Sequence, residues 1–189
     1  VLVKPFKSKA YKYFAIKSLK AAKAVTVDSE NMKNRVMELA QVNSHIIQNG
    51  IDIQSINEYL NNQIISGSKL RDKITSMRGI TPLYRIRELI QKRNKIKNKN
   101  FPLTFIYPFI DNQYKNEIFK DIKSIDTDLG RVERLIMYKL FSQTKVAFSI
   151  PISDSSPRSV YEAIFCGTVV AITYNSYYEI LPQCMKSRI

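Results

Sequence analysis

Two carboxylates, Asp154 and Glu162, stand eight residues apart in SDSSPRSVYEAIFCG, with a Ser-Pro step between them. An ionised carboxylate accepts two hydrogen bonds from a vicinal diol of the kind a ribose or a hexose presents. The residue types and spacing therefore suit a diol-binding site. They equally describe a solvated helix glutamate beside a loop aspartate, since helix propensity and turn chemistry account for both residues. On spacing alone both readings stand.

The elements that must position this pair are marked by local signals. Residues 146–150 and 168–173 are short apolar runs of the kind buried parallel strands show. Between them, Ser156 suits an N-cap, Pro157 the first helical position and Gly167 a left-handed residue past the helix end, so a helix is expected over residues 157–166. Val160, Ala163 and Ile164 recur at helical spacing and should face the sheet, which leaves Arg158, Ser159 and Glu162 off that face. The result is a βαβ unit. Ligands of such units bind beyond the carboxyl ends of the strands, where the helix start offers N–H groups and a partial positive charge to phosphate.

The remaining composition narrows the class. The chain has 189 residues, 44% of them hydrophobic, which is enough for a real core and argues against disorder. Thirty Lys and Arg against 16 Asp and Glu give a net charge of +14, which attracts phosphorylated ligands, nucleic acid or an anionic membrane without choosing among them. Cys166 and Cys184 have no metal-site spacing, and they read as reduced thiols of an intracellular protein. A single histidine, His45, argues against a multi-histidine metal centre. No apolar run approaches the roughly 20 residues of a membrane span. VLVKPFK carries neither an initiator Met nor an apolar signal core, so an internal start, and with it a fragment, is expected.

In chain order, residues 8–24 read as a helix with Ala15, Leu19 and Ala22 on one stripe and lysines 9, 12, 17, 20 and 23 over the rest. That face fits an anionic membrane or plain solvent. A strand is expected at 24–27, then a helix capped by Asp28 or Ser29 and running to about Leu39. HIIQNGID at 45–52 turns at Asn49-Gly50. Residues 54–70 are polar and irregular, which makes them a linker candidate. The domain organisation read from this is 1–50 for the end of an N-terminal domain, 51–70 for the linker and 71–189 for a C-terminal domain.

Residues 74–77 suggest a strand ending at Arg78, followed by a helix from Pro82 with Ile86, Leu89 and Ile90 inward. An arginine at a strand's carboxyl end suits phosphate, and it equally suits pairing with any nearby carboxylate. KRNKIKNK at 92–99 is a solvated helix end or a nucleic-acid contact. A strand at 103–107, a helix at 112–123, a loop at 124–130 and a helical stripe of Val132, Leu135, Ile136 and Leu140 follow. The alternation gives an α/β class with a Rossmann-like parallel sheet flanked by helices.

Four separated segments, in order, resemble the GT-B glycosyltransferases of the group 1 (family 4) type. AVTVDSENMK at 24–33 is similar to the last strand and helix of that family's acceptor domain, and HIIQNGID to its Asn-Gly-Val-Asp segment at the domain crossing. SMRGITPLYRI at 76–86 resembles the first donor-domain strand with its Arg, and SDSSPRSVYEAIFCGTVVAI at 153–172 resembles the donor motif with its two acids. The resemblance implies a retaining glycosyltransferase. Glu162 falls on the acid that binds the ribose and Asp154 on the one that contacts the donor sugar, where the family usually has Glu. The backbone of Arg158, Ser159 and Val160 would cradle the pyrophosphate, and Arg78 would hold the leaving phosphate. The lysine that commonly follows that arginine is absent, with Leu83 and Tyr84 near its place and Arg85 as a substitute.

The resemblance further implies a nucleotide sugar such as a UDP- or GDP-sugar as substrate, a glycan or lipid-linked acceptor, and neither cofactor nor metal. It implies an enzyme of polysaccharide biosynthesis in the cytoplasm, peripheral on the inner face of the membrane, of which the chain holds about half and which alone should turn over little. The rival is a basic nucleic-acid-binding or membrane-binding α/β module without catalysis. No recognition-helix, RRM or zinc pattern accompanies the charge, so no specific nucleic acid partner is expected.

Overall fold

A computed structural model describes residues 8–64, 71–96, 101–179 and 181–189. They divide into two compact units. The first holds the residues up to Gly50 together with Ser153–Pro157 and Tyr174–Leu181, and the second holds Ile51–Ile152, Arg158–Thr173 and Pro182–Ile189.

The first unit contains α1 (Lys9–Ala21), β1 (Thr26–Val27), α2 (Glu30–Ala40) and β2 (His45–Ile46). Both helices begin at serine caps: Ser8 Oγ accepts the Tyr11 N–H at 3.2 Å and Ser29 Oγ accepts the Met32 N–H at 3.3 Å. β1 and β2 pair in parallel, Thr26 opposite His45 and Val27 opposite Ile46. α1 rests on α2 through half-buried Ala15, Ile16 and Leu19. Ala22, expected on that stripe, lies past the helix end and is exposed.

The second unit contains α3 (Ile53–Ile64), β3 (Lys73–Ser76), α4 (Ile86–Asn94), β4 (Leu103–Ile106), α5 (Asn112–Ile118), β5 (Thr127–Gly130), α6 (Arg134–Gln143), β6 (Thr144–Ser149), α7 (Arg158–Phe165), β7 (Val169–Ile172) and α8 (Gln183–Lys186). Its five strands are all parallel, in the order β5-β4-β3-β6-β7. The chain builds outward from β3 through β4 to β5, then returns to the other side of β3 with β6 and β7. β3 and β6 thus flank the point where the strand order reverses, which is where open α/β sheets bind ligands. One face of the sheet carries a core of Ile80, Ile86, Leu89, Ile90, Leu103, Phe105, Tyr114 and Ile118, with Ile74 and Phe148 against it. Elsewhere in the unit α7 packs on β7 and on helices α3 and α6.

Several expectations change. The linker placed over residues 51–70 contains α3, capped by Asp52, whose carboxylate accepts the Ser55 N–H at 3.1 Å and the Ser55 hydroxyl at 2.6 Å. Ile56 is fully buried, and Asn61 and Asn62, two of the polar residues that suggested irregularity, lie on the solvent side. Residues 65–70 of the expected linker, and 97–99 of the basic run, lie outside the described residues. The loop expected at 124–130 holds β5, an exposed edge strand reading TDLG, which has no apolar alternation to announce it. The helix expected from Pro82 begins as a 3-10 turn over Pro82–Tyr84, breaks at left-handed Arg85 and then becomes α4. The helix expected over 112–123 ends at Ile118, with a 3-10 turn over Phe119–Asp121.

In α6 the buried face is Tyr138, Leu140 and Phe141, while Leu135 and Ile136 are exposed. Of the expected aliphatic stripe Leu140 is buried as read, but Tyr138 and Phe141 take the inward places expected of Leu135 and Ile136. No helix among the described residues is long and apolar enough to cross a membrane.

Candidate functional site

Arg78 lies two residues beyond β3, at the carboxyl end of a strand that borders the reversal of strand order. Its Nη1 donates to Ser159 Oγ at 3.1 Å, so it touches the first turn of α7. The guanidinium carbon sits 4.7 Å from the centroid of the Tyr84 ring. Tyr84 is backed in turn by Phe109, with ring centroids 5.8 Å apart. Gly79 lets Phe109 come this close: a Cβ at residue 79 would stand 2.3 Å from the Phe109 ring.

Helix α7 supplies the other half of the site within this unit. Its first residues are Arg158, Ser159 and Val160, and first-turn N–H groups of an α-helix have no intrahelical carbonyl to bond, so they and the helix dipole favour an anion. The helix ends at Gly167, with φ +81°, as the sequence required. Val160, Ala163 and Ile164 are buried, but so is Glu162, at 5% exposure. Of the two readings left open, the solvated helix glutamate does not hold: α3 and α6 pack against α7, so a position off the sheet-facing stripe is still covered. Burial pushes the Glu162 carboxyl above the ordinary glutamate range, against the opposing pull of Arg134 and Arg158. The fully buried Tyr138 hydroxyl has no hydrogen-bond partner among the described residues, and burial together with the Glu162 charge raises its pKa.

Arg85 is directed at the scaffold. Its Nε donates to the Ile150 carbonyl at 2.8 Å, and its Nη2 reaches the Pro151 carbonyl at 3.5 Å and Thr173 Oγ1 at 3.3 Å. These bonds engage Nε and Nη2 of the side chain that the sequence offered as a substitute phosphate ligand.

Asp154 belongs to the first unit. Its Oδ1 accepts the Ser155 N–H at 3.0 Å, and Ser155 Oγ donates to Asp28 Oδ2 at 2.7 Å. Beside it, Ser156 is held by Asn49: its Oγ accepts the Asn49 N–H at 3.3 Å, and its carbonyl accepts Asn49 Nδ2 at 3.0 Å. The Asn-Gly turn and the loop of the donor-like motif are therefore joined by hydrogen bonds inside one unit. His45 is exposed on β2. Among the described residues no three His, Cys, Asp or Glu side chains are grouped to hold a metal ion.

The structure thus joins Arg78 to Ser159 directly and places Glu162 one turn further along the same helix. The sequence reading missed the roles of Tyr84, Phe109 and Arg134, because the contacts that matter link residues on different elements or across a turn.

No family model matches the chain, and no curated protein matches it. Solved structures do. HepE of Anabaena in complex with UDP and glucose superposes with a TM-score of 0.72 at 16% identity, over 93% of this chain and 52% of HepE. TarM of S. aureus, in complex with fondaparinux, alpha-GlcNAc-glycerol and UDP, gives 0.66 at 16% identity, over 92% of this chain and 35% of TarM. The trehalose-6-phosphate synthase OtsA gives 0.66 at 11% identity, over 89% and 50%. The chain spans about half the length of HepE and OtsA and about a third of TarM. Over that span the chain has the fold of the GT-B glycosyltransferases.

Proposed function

We propose that the chain is the nucleotide-binding part of a retaining glycosyltransferase that transfers a sugar from a nucleoside diphosphate donor to a glycan or lipid-linked acceptor. One observation carries the reading: Arg78 leaves β3 beside the reversal of strand order and bonds to the first turn of α7, so a guanidinium and a helix start converge where a diphosphate is expected to bind. Structures with the same fold are described with UDP or UDP-glucose bound, which supports a uridine nucleotide. Glu162, one helical turn on, accepts the ribose hydroxyls, and Asp154 contacts the donor sugar.

In this reading the bond between the anomeric carbon and the diphosphate oxygen breaks while Arg78 and the N–H groups of Arg158, Ser159 and Val160 hold the charge developing on the leaving diphosphate. Such prearranged donors lower barriers by several kcal/mol, on the order of 3 for each well-placed group. Arg85 supports the loops and does not touch the phosphate. The reaction needs no metal, and transfer is expected to persist in EDTA. The +14 charge and the lysines of α1 fit work in the cytoplasm at an anionic membrane surface.

The test is a thermal-shift titration with UDP, GDP, ADP and CMP on the wild type and on Glu162→Ala. UDP is expected to raise the melting temperature of the wild type alone. Equal responses of both proteins to all four nucleotides would sink the assignment.

A further inference from the structure

The Arg78 guanidinium is held on two sides. At one edge Nη1 bonds to Ser159 Oγ at 3.1 Å, and across its face lies the Tyr84 ring, 4.7 Å from the guanidinium carbon. A planar cation over an aromatic face is attracted by the ring quadrupole and loses rotational freedom about its own plane. The Tyr84 ring is itself fixed: Phe109 packs on it, and Phe109 lies against Gly79, where any side chain would collide with the ring. Between Gly79 and Tyr84 the sequence GITPLY supplies no second cation, so on this strand end one guanidinium meets the anion and its orientation decides how well.

We propose that Tyr84 is a positioning residue for Arg78: its ring, backed by Phe109 and Gly79, fixes the plane in which the guanidinium presents paired N–H groups to the diphosphate of a nucleoside diphosphate. The proposal rests on the reading of Arg78 as a diphosphate ligand. Tyr84 does not touch the ligand, so its effect passes through Arg78 and scales with the phosphates, not with the nucleoside.

The experiment is a calorimetric comparison of UDP and uridine on the wild type, Tyr84→Phe, Tyr84→Leu, Arg78→Ala and the Arg78→Ala/Tyr84→Leu double variant. Tyr84→Phe keeps the aromatic face and should bind UDP within about twofold of the wild type. Tyr84→Leu should weaken UDP by about fivefold while leaving uridine unchanged, and it should cost nothing further once Arg78 is gone. Loss of uridine and UDP affinity in equal measure would make Tyr84 a structural residue and overturn the proposal. So would an unchanged UDP affinity in Tyr84→Leu. A wild type that binds uridine but gains nothing from the diphosphate overturns the Arg78 reading and this proposal together. A wild type that gains from the diphosphate, with Tyr84→Leu unaffected, overturns only the role of Tyr84. Should Tyr84→Leu fail to fold, Gly79→Ala, which pushes Phe109 against Tyr84, is expected to reproduce the selective loss of UDP affinity, and its absence there overturns the proposal as well.

Discussion

Arg85 Nη2 reaches Thr173 Oγ1 at 3.3 Å, and the same Thr173 hydroxyl donates to the Pro151 carbonyl at 2.8 Å, so one side chain ties the entrance of α4 to the ends of β6 and β7. Arg85 does this from a left-handed backbone, with φ 51° and ψ 38°. Left-handed backbone costs a side-chain-bearing residue about 1 kcal/mol, and charge-assisted hydrogen bonds contribute about 1.5–3 kcal/mol each to their donors. Arg85→Ala loses the bonds and keeps the strain, whereas Arg85→Gly loses the bonds and relieves it. Urea denaturation should find both variants less stable, with Arg85→Gly the less damaged by about 1 kcal/mol. Equal loss would show that the left-handed turn carries no strain.

Arg93 and Asp126 form a bidentate ion pair in which both side chains are almost completely buried. Asp126 also accepts the N–H groups of Leu103 and Lys123, each at 2.8 Å, and Arg93 donates to the Phe101 carbonyl at 2.8 Å. Removing either partner strands a charge, so Arg93→Met and Asp126→Ala should each cost about 3–5 kcal/mol, and the double variant less than their sum.

The same aspartate predicts a pH dependence. Burial pushes its carboxyl up, but the Arg93 guanidinium and the two N–H groups outweigh this and hold it below the ordinary aspartate range. A carboxyl depressed by folding binds fewer protons in the native state than in the unfolded state. Its contribution is therefore complete above the ordinary aspartate range and drains away as the pH falls toward the depressed value. Melting temperature should fall between about pH 5 and about pH 3 in the wild type, and less steeply in Asp126→Asn.

What could be read from the sequence was what local signals encode. Pro157, Gly167 and two apolar runs announce the βαβ unit because cap chemistry and strand composition act over a few residues. β5 was hidden because TDLG is an exposed edge strand held by its backbone pairing to β4. The rotation of α6 was hidden because Tyr138 and Phe141, not Leu135 and Ile136, meet the rest of the fold. For the site, Arg78 and Glu162 were legible as residue types at meaningful places. The burial of Glu162 and the stacking of Tyr84 on Arg78 were not, since each depends on elements that only the fold brings together.

The two cysteines differ in a way that alkylation can read. Cys166 is buried and its thiol is pushed up to about 12, by burial first and the Glu162 charge second, while Cys184 is exposed. The thiolate is the reactive form, so iodoacetamide at about pH 8 should label Cys184 in the native protein and reach Cys166 only on unfolding. Mass spectrometry of the labelled peptides checks this, and rapid native labelling of Cys166 would mean that α7 opens readily.

Glu162 predicts opposite effects on stability and on binding. A carboxyl whose pKa folding raises binds more protons in the native state than in the unfolded one, so the fold loses stability as the pH rises through its elevated value. At a pH above that elevated value the ionised, buried Glu162 therefore costs stability, and there Glu162→Gln should melt higher than the wild type without ligand. Binding runs the other way. Ribose hydroxyls bond more strongly to the ionised carboxylate, so uridine, which has no titrating phosphate, should bind less tightly as the pH falls through the raised pKa of Glu162. Glu162→Gln should bind uridine weakly at every pH with no such decline. A Glu162→Gln protein that melts lower than the wild type while keeping its uridine affinity would place this carboxylate in the scaffold and leave the ribose to another residue.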